Sequence, residues 1–325
     1  MKLPRRHFLH LAASTAALPA VSPLAWAEAY PVRPVRLIVG FASGGPADIL
    51  ARLIGQRLAE QLGQPFVIEN RLGAGSSIAA EAVVRAAPDG YTLLLVSSAH
   101  AVNGSLYEKL SFNITRDIAP VAGIDREPLL MLVHPSFPAK TVPEFIAYAN
   151  ANAGKLNMAS AGNGTVTHVA GELFKMMAGI NLLHVPYRGG APALTELMGG
   201  RVQVLFNPMA GTVEHIRSGT LRALAVTTAT RSEALPEVPV LSDFLPGYES
   251  SAWFGIGAPK NTPADIVTKL NTEINVALAA PKMKARLADF GGAAIAGSPA
   301  DFGKLIVDET VKWAKVVRFA SMKPE

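Results

Sequence analysis

The feature that most constrains this sequence is a turn rich in small residues, chiefly glycine and serine, that recurs between a strand pattern and a helix pattern. It occurs at 40–48, at 73–77 and at 160–168. Before the first of these turns lies the apolar run Val35–Val39, and after it apolar residues recur three and four positions apart as far as Leu62. A strand that passes through a tight turn into a helix is the repeating unit of parallel α/β sheets. The sequence therefore predicts an α/β fold with helices on both faces of its sheets.

The alternation of strand and helix patterns continues along the chain. Further strands are predicted at 65–68, 91–96, 129–133, 156–160, 202–206, 221–227 and 253–258. Further helices are predicted to end near Val84 or to span 142–152, 166–178, 263–279 and 299–319. We expect Thr141, Thr262 and Ser298 to be helix N-caps, since their hydroxyls can accept free backbone N–H groups. The segment 233–248 is rich in proline and acidic residues and is predicted to be a surface connection.

The first 27 residues have the three parts of an export signal. Arg5 and Arg6 follow the start, an apolar stretch spans 8–21, and the Ala-Trp-Ala sequence at 25–27 has the small-x-small pattern that signal peptidase cleaves. An amphipathic first helix is the alternative, which Pro19 argues against. We predict a cleaved signal peptide at 1–27 and a periplasmic mature protein. The paired arginines resemble part of a twin-arginine signal, with the Sec route as the alternative.

Composition excludes several classes of protein. The chain has no cysteine, which excludes disulfides and a lipidated mature end. After the leader, no run of 18 or more apolar residues occurs, so a soluble mature chain is expected. Loss of the leader removes three cationic residues and no acidic one, which lowers the formal net charge from +5 to +2. With no cluster of Lys and Arg, we expect no nucleic-acid partner. The remaining length is enough for two domains.

The small-residue turns are the candidate binding elements. A turn that opens a helix presents free backbone N–H groups and the positive end of the helix dipole, which together favour an anion. In open parallel sheets, ligands lie beyond the carboxyl ends of the strands. The three turns are therefore expected to converge on one cleft. The alternative is that each is an ordinary tight connection.

Signatures of enzymes and metal sites do not occur in the sequence. It has no Gly-x-Ser-x-Gly elbow, no Walker A loop and no His-Glu-x-x-His motif. The turn at 73–78 does not have the third glycine of a dinucleotide fingerprint. No two histidines of the mature chain lie at helical i, i+4 spacing. We predict no catalytic residue, no metal and no cofactor. His168 remains open between a structural or capping role and a ligand contact.

Eight motifs in chain order resemble those of one family, the tripartite tricarboxylate transporter receptors, also called the Bordetella uptake gene family. They lie at 30–52, 67–75, 87–93, 148–157, 161–168, 185–189, 224–231 and 253–255. The resemblance covers essentially the whole mature chain. It implies a two-lobed type II periplasmic-binding-protein fold that closes on a small carboxylate. It also implies that one lobe comprises 28–126 with 254–325, and the other 127–253.

By this resemblance the protein is a non-catalytic, monomeric receptor for a small organic acid that serves two membrane subunits of a transporter. The family holds its ligands largely through backbone amides and small hydroxyls. Carried to this chain, the ligand-binding residues are Phe41, Ala42, Ser43, Gly44, Gly45, Pro46, Ala47, Asp48, Gly73, Ala74, Gly75, Ser76, Ser97, Ser98, Asn163, Gly164, Thr165, His168, Tyr187, Arg188, Gly189 and Asn207. A sensor for a membrane signalling partner and a periplasmic enzyme on the same scaffold are the alternatives.

Two of these positions carry specific expectations. The family commonly has an aspartate at position 207, and here the residue is Asn207. An amide cannot supply the negative charge that pairs with a ligand ammonium. We therefore predict a simple or aromatic carboxylate without a basic amine. Asp48 would repel an anion, so we expect it to cap its helix or to hold a water.

Overall fold

The computed structural model describes residues 30–107, 109–289 and 291–323, so the predicted signal peptide lies outside the described residues. The strands are β1 (Val35–Val39), β2 (Phe66–Asn70), β3 (Thr92–Ser97), β4 (Ile118–Val133), β5 (Asn157–Ser160), β6 (Leu183–Pro186), β7 (Val204–Pro208), β8 (Arg222–Val226), β9 (Ser251–Pro259) and β10 (Ala293–Ala294). The helices are α1 (Pro46–Leu62), α2 (Ser77–Val84), α3 (Ser98–Leu106), α4 (Ile114–Asp117), α5 (Val142–Ala151), α6 (Val166–Ala178), α7 (Gly190–Met198), α8 (Val213–Arg217), α9 (Ala264–Ala279), α10 (Pro281–Asp289) and α11 (Pro299–Phe319). The predicted alternation of strands and helices is confirmed.

The sheet contains the same strand arrangement twice. In what we call the first half-sheet, β2, β1 and β3 are parallel neighbours, β9 runs antiparallel beside β3, and β4 pairs with β9. In the second half-sheet, β6, β5 and β7 are parallel neighbours, β4 runs antiparallel beside β7, and β8 pairs with β4. The carboxyl ends of the three parallel strands therefore lie at one edge of each half-sheet.

Strand β4 belongs to both half-sheets. Its residues up to Pro128 pair with β9, and those from Leu129 onward pair with β7. Arg126 lies opposite Trp253 in the register. The lobe boundaries predicted after 126 and after 253 thus fall at neighbouring positions on adjacent strands. That division into lobes stays a prediction. In the structure, the chain would pass from one lobe to the other within β4 and within β9, which are hydrogen-bonded to each other.

Alternating side chains of the strands build two different cores. On β3, Leu94 and Val96 belong to a core that spans both half-sheets and includes α2, α3, α5, α6 and α11. Leu93 and Leu95 point to the opposite face, where α1, α9 and α10 cover the first half-sheet. A third core lies under α7 and α8 on the second half-sheet. The period of two along a strand thus places helices on both faces, as predicted.

Local corrections concern the caps and connections. Thr141 and Ser298 are N-caps, since each accepts a backbone N–H with its hydroxyl. Thr262 is not, because its hydroxyl donates to the Pro259 carbonyl and α9 begins after Pro263. The segment 233–248 is not a simple surface connection. Its apolar side chains, Leu235, Val238, Val240, Leu241 and Tyr248, are buried while the acidic ones face outward.

No helix in the described residues combines the length and the apolar character that crossing a membrane requires.

Candidate functional site

The predicted binding residues lie at the carboxyl ends of the six parallel strands, in the turns that follow, or in the first turn of the next helix. In the first half-sheet, 41–45 lie in the turn after β1 and 46–48 begin α1, 73–76 lie in the turn after β2, and β3 leads through Ser97 into α3. In the second, the turn after β5 contains 163–165, the turn after β6 contains 187–189, and Asn207 lies near the end of β7. The two half-sheets therefore contribute equivalent positions, which supports a single site built from both.

Close contacts join the three segments of the first half-sheet. A Cβ at Gly40 would lie 1.6 Å from Ser76 Oγ, so the turns after β1 and β2 touch. Asn103 of α3 donates to the Gly75 carbonyl at 2.7 Å and to Ser77 Oγ at 3.0 Å. Helix α3 thereby holds the second turn in place. Asn103 has no motif that marks it in the sequence, and only the fold shows its part in the site.

Helix α3 also brings the two half-sheets together. A Cβ at Gly164 would lie 2.4 Å from Leu106 Cδ2, so the turn after β5 packs directly on α3. Within the second half-sheet, the Tyr187 N–H donates to the Ser160 carbonyl at 2.9 Å. A Cβ at Gly190 would lie 3.4 Å from Asn207 Oδ1. These contacts form a continuous series from Gly40 to Asn207.

Asp48 organises the turn after β1. It is the third residue of α1, and its Oδ2 accepts the Gly44 N–H at 2.9 Å and Arg52 Nε at 2.8 Å. Its Oδ1 accepts Asn70 Nδ2 at 2.9 Å and Arg52 Nη2 at 3.0 Å. Hydrogen bonds from Arg52 hold the pKa of the Asp48 carboxyl well below its usual value, although burial opposes this. Asp48 therefore positions the loop through Gly44, which precedes the N-cap Gly45, and no side chain caps α1.

The turn after β5 is held by two hydroxyls and an imidazole. Thr167 Oγ1 accepts the Ala161 N–H at 2.8 Å, and Thr165 Oγ1 donates to the Gly162 carbonyl at 2.7 Å. His168 Nδ1 accepts the Gly164 N–H at 3.2 Å. Since these side chains bond within their own turn, they fix the direction of its backbone amides.

The buried His168 ring also lines a cavity of about 490 Å³, together with Asn163, Glu172, Lys175, His184 and residues 320–323. It stacks on the ring of His184 at a centroid distance of 3.6 Å. The structure therefore gives His168 a supporting role behind the turn. A direct contact between His168 and the ligand stays a prediction.

The turn after β2 has an unusual backbone. Gly73, Ala74, Gly75 and Ser76 all have positive φ angles, of 126°, 47°, 58° and 77°. Such angles are uncommon for residues with a side chain, and runs of them occur where a loop is held for function. Ser76 is buried, and its Oγ has no hydrogen-bond partner among the described residues. This hydroxyl is a candidate ligand contact.

Asn207 is held with its oxygen available. Its Nδ2 donates to Thr212 Oγ1 at 3.0 Å and to the Pro208 carbonyl at 3.3 Å. Its Oδ1 is buried and has no partner among the described residues. A buried acceptor that is left unpaired is costly, so a ligand or water that donates a hydrogen bond would stabilise this position.

Ser97 and Ser98 lie where β3 enters α3, and both are buried. The Ser97 N–H donates to His100 Nδ1 at 3.0 Å. Burial lowers the pKa of His100 to about 4, so its ring is neutral and can accept this bond. His100 is thus a structural residue that holds the backbone at Ser97, next to the two serines predicted to contact the ligand.

Arg52 and Glu172 support the turns indirectly, through Asp48 and His168. Arg52 bonds Asp48, and the Glu172 carboxylate lies 3.6 Å from His168 Nε2. Both pairs have i, i+4 spacing on a helix, a sequence signal that could have identified them. Among the described residues, no group of three or more His, Asp and Glu side chains is arranged to hold a metal ion.

Comparisons with known proteins agree with this geometry. A family model described as the tripartite tricarboxylate transporter family receptor matches residues 50–322. Protein BugT of Bordetella pertussis is 37% identical over 300 residues, which cover 91% of this chain and 92% of BugT.

Two solved structures of Rhodopseudomonas palustris proteins are also similar. Rpa4515 with adipate has a TM-score of 0.81 and 38% identity, covering 91% of this chain and 100% of that one. MatC with bound malate has a TM-score of 0.77 and 36% identity, covering 89% of this chain and 100% of that one. These matches confirm the predicted α/β fold of the two-lobed, type II periplasmic-binding-protein class. The chain belongs to the receptor family of the tripartite tricarboxylate transporters.

Proposed function

We propose that this receptor binds a small carboxylate without a basic amine at the carboxyl ends of its two half-sheets. The observation that carries the proposal is the meeting of turns from both half-sheets around α3, where Gly40 touches Ser76 and Gly164 packs on Leu106. Such turns present backbone N–H groups, which suit carboxylate oxygens. Two relatives whose structures contain adipate and malate support this class of ligand.

Asn207 supports the exclusion of amino acids. Its amide is fixed by Thr212, and its unpaired Oδ1 is a neutral acceptor. A neutral oxygen can accept from a ligand hydroxyl or from water, but it does not offset the charge of an ammonium group. We therefore expect adipate or malate to bind more tightly than aspartate or glutamate.

Ligand capture would follow by a shift between open and closed arrangements of two lobes, 28–126 with 254–325 and 127–253. A ligand that contacts turns of both half-sheets stabilises the arrangement in which they are close. The predicted leader supports a periplasmic location, and family membership supports delivery to two membrane subunits of a transporter. We propose a monomer, which sedimentation of the mature protein would test.

Titration calorimetry of the mature protein with malate, adipate, aspartate and glutamate tests the ligand class. Tight binding of an amino acid, with neither amine-free acid bound, would contradict the proposal. A thermal-shift screen of small acids extends the test, since a true ligand raises the melting temperature with its concentration.

Replacement of Gly45 tests the loop itself. Gly45 has φ −79° and ψ 169°, an extended conformation that valine adopts without strain, so Gly45→Val adds bulk but keeps the backbone. We expect binding to weaken at least about 10-fold, because a close backbone approach is blocked. Gly199→Val is the control away from the site: Gly199 has φ −78° and ψ −1°, an allowed helical conformation, and its Cβ would lie 3.5 Å from the nearest atom. Unchanged affinity of Gly45→Val would refute the role of this loop.

A further inference from the structure

The turn after β1 and the turn after β5 are held by the same arrangement of hydrogen bonds. Gly44 and Gly164 have φ angles of 81° and 73°, and each donates its N–H to the residue four positions later. The acceptors Asp48 and His168 are both the third residue of the helix that follows. Each helix then supplies a charged residue four positions further on, Arg52 or Glu172.

The hydrogen bond in the turn after β5 requires one particular tautomer of His168. Because the Gly164 N–H donates to Nδ1, that nitrogen must carry a lone pair and no proton. The proton of the neutral ring is then on Nε2, which faces Glu172 Oε1 at 3.6 Å. A carboxylate at this distance favours an N–H on the nitrogen that faces it.

We propose that Glu172 is a positioning residue of the ligand site: it fixes the tautomer of His168, and His168 in turn fixes the Gly164 turn. The inference rests on the proposed function, since it assigns this turn to carboxylate binding. Without the carboxylate, the other tautomer would direct an N–H of His168 at the N–H of Gly164. The turn would then lose its acceptor and its fixed geometry.

Glu172 is well placed to stay charged. It is 3% exposed, and Lys175 Nζ lies 2.8 Å from its Oε1. Burial raises the pKa of Glu172, but the nearby His168 ring and the hydrogen bond from Lys175 together outweigh burial, so the pKa lies below its usual value. Oε2 has no partner among the described residues. The carboxylate is therefore held toward His168 and Lys175 from one side.

Other titratable groups also surround His168. Lys175 and Glu172 lie on α6, Lys323 lines the same cavity, and His184 of β6 stacks on the ring. Burial, with a contribution from His168, lowers the pKa of His184 to about 4, so His184 stays neutral above pH 5. The carboxylate of Glu172, 3.6 Å from Nε2, is therefore the group expected to select the tautomer of His168.

A double-mutant cycle tests the proposal with malate and adipate as probes. Glu172→Gln keeps the shape but removes the charge, and we expect affinity at pH 8 to weaken about 3- to 10-fold. His168→Asn removes the imidazole, so no tautomer remains for Glu172 to select. In the His168→Asn background, Glu172→Gln should have no further effect on affinity. If Glu172→Gln weakened the affinity equally in the wild type and in His168→Asn, the proposal would be overturned.

The ¹⁵N shifts of the imidazole provide a reading that needs no ligand. At pH 8, His168 of the wild type should carry its proton on Nε2, and Glu172→Gln should raise the population with the proton on Nδ1. An unchanged tautomer in Glu172→Gln would overturn the positioning role, whatever the ligand. If the tautomer shifts as expected but the wild type binds no carboxylate, the positioning of the turn is supported and the proposed function fails.

Discussion

In the first half-sheet a carboxylate holds the turn after the first parallel strand, and in the second half-sheet an imidazole does so at the equivalent position. Asp48 is ionised and tied to Arg52 and Asn70. His168 must be neutral to accept the Gly164 N–H, and it is backed by Glu172. One strand order can therefore place two turns alike while holding them with different chemical groups.

The largest expected difference between the half-sheets concerns their turn glycines. Both Gly44 and Gly164 have positive φ, which costs an alanine about 1 kcal/mol. Only at Gly164 would the added Cβ meet a neighbour, Leu106 Cδ2 at 2.4 Å, and such overpacking costs about 1–3 kcal/mol more. We expect Gly164→Ala to lower the free energy of unfolding by about 2–4 kcal/mol and Gly44→Ala by about 1 kcal/mol, measured by urea denaturation.

Gly179→Ala is the control for the glycine comparison. Gly179 has φ 64° and open space around its Cβ position, but it caps α6 away from the proposed site. It should match Gly44→Ala in stability and, unlike Gly44→Ala, leave ligand affinity unchanged. Equal stability losses for Gly44→Ala and Gly164→Ala would show that the contact with Leu106 does not distinguish the two turns.

The Asp48 carboxyl provides the next test. Its pKa is lowered in the folded state, so its contribution to stability is present above the unfolded-state pKa of about 4 and is lost as the pH falls toward the lowered value. Asp48→Asn removes this contribution, and we expect a loss of about 1–2 kcal/mol at pH 7. The difference in unfolding free energy between the wild type and the variant should shrink below pH 4. A difference that is constant from pH 7 to 3 would contradict the assigned charge.

A smaller effect is expected in the strand that the half-sheets share. Asp125 and Glu127 of β4 are buried side by side, and burial, followed by the charge of Glu127, raises the pKa of Asp125. A raised acid pKa means that stability falls as the pH rises from the unfolded value toward the folded one. Asp125→Asn should therefore stabilise the protein by about 1 kcal/mol at pH 8, with less effect at pH 5. Thermal unfolding at both pH values measures this, and destabilisation at pH 8 would contradict it.

The sequence predicts the turns better than it predicts their supports. Strand β1, helix α1 and the αL cap at Gly63 follow from apolar spacing and glycine placement alone. The contact between Gly164 and Leu106 joins elements far apart in the chain, and no local pattern indicates it. Of β4, only the last third is predicted from the sequence. Its first part contains Pro120, Gly123, Asp125 and Glu127, which do not follow a strand pattern and are accommodated by irregular pairing with β9.

The position of β9 in the sheet determines when the first half-sheet can form during synthesis. Strand β9 lies between β3 and β4, with Phe254 opposite Ser97, so the first half-sheet cannot close until residue 259 has emerged from the ribosome. The apolar strands of that half-sheet must wait for nearly the whole chain, and pairing over such a separation is slow. In contrast, all the paired strands of the second half-sheet lie between 129 and 226, so that half-sheet can form before β9 is synthesised.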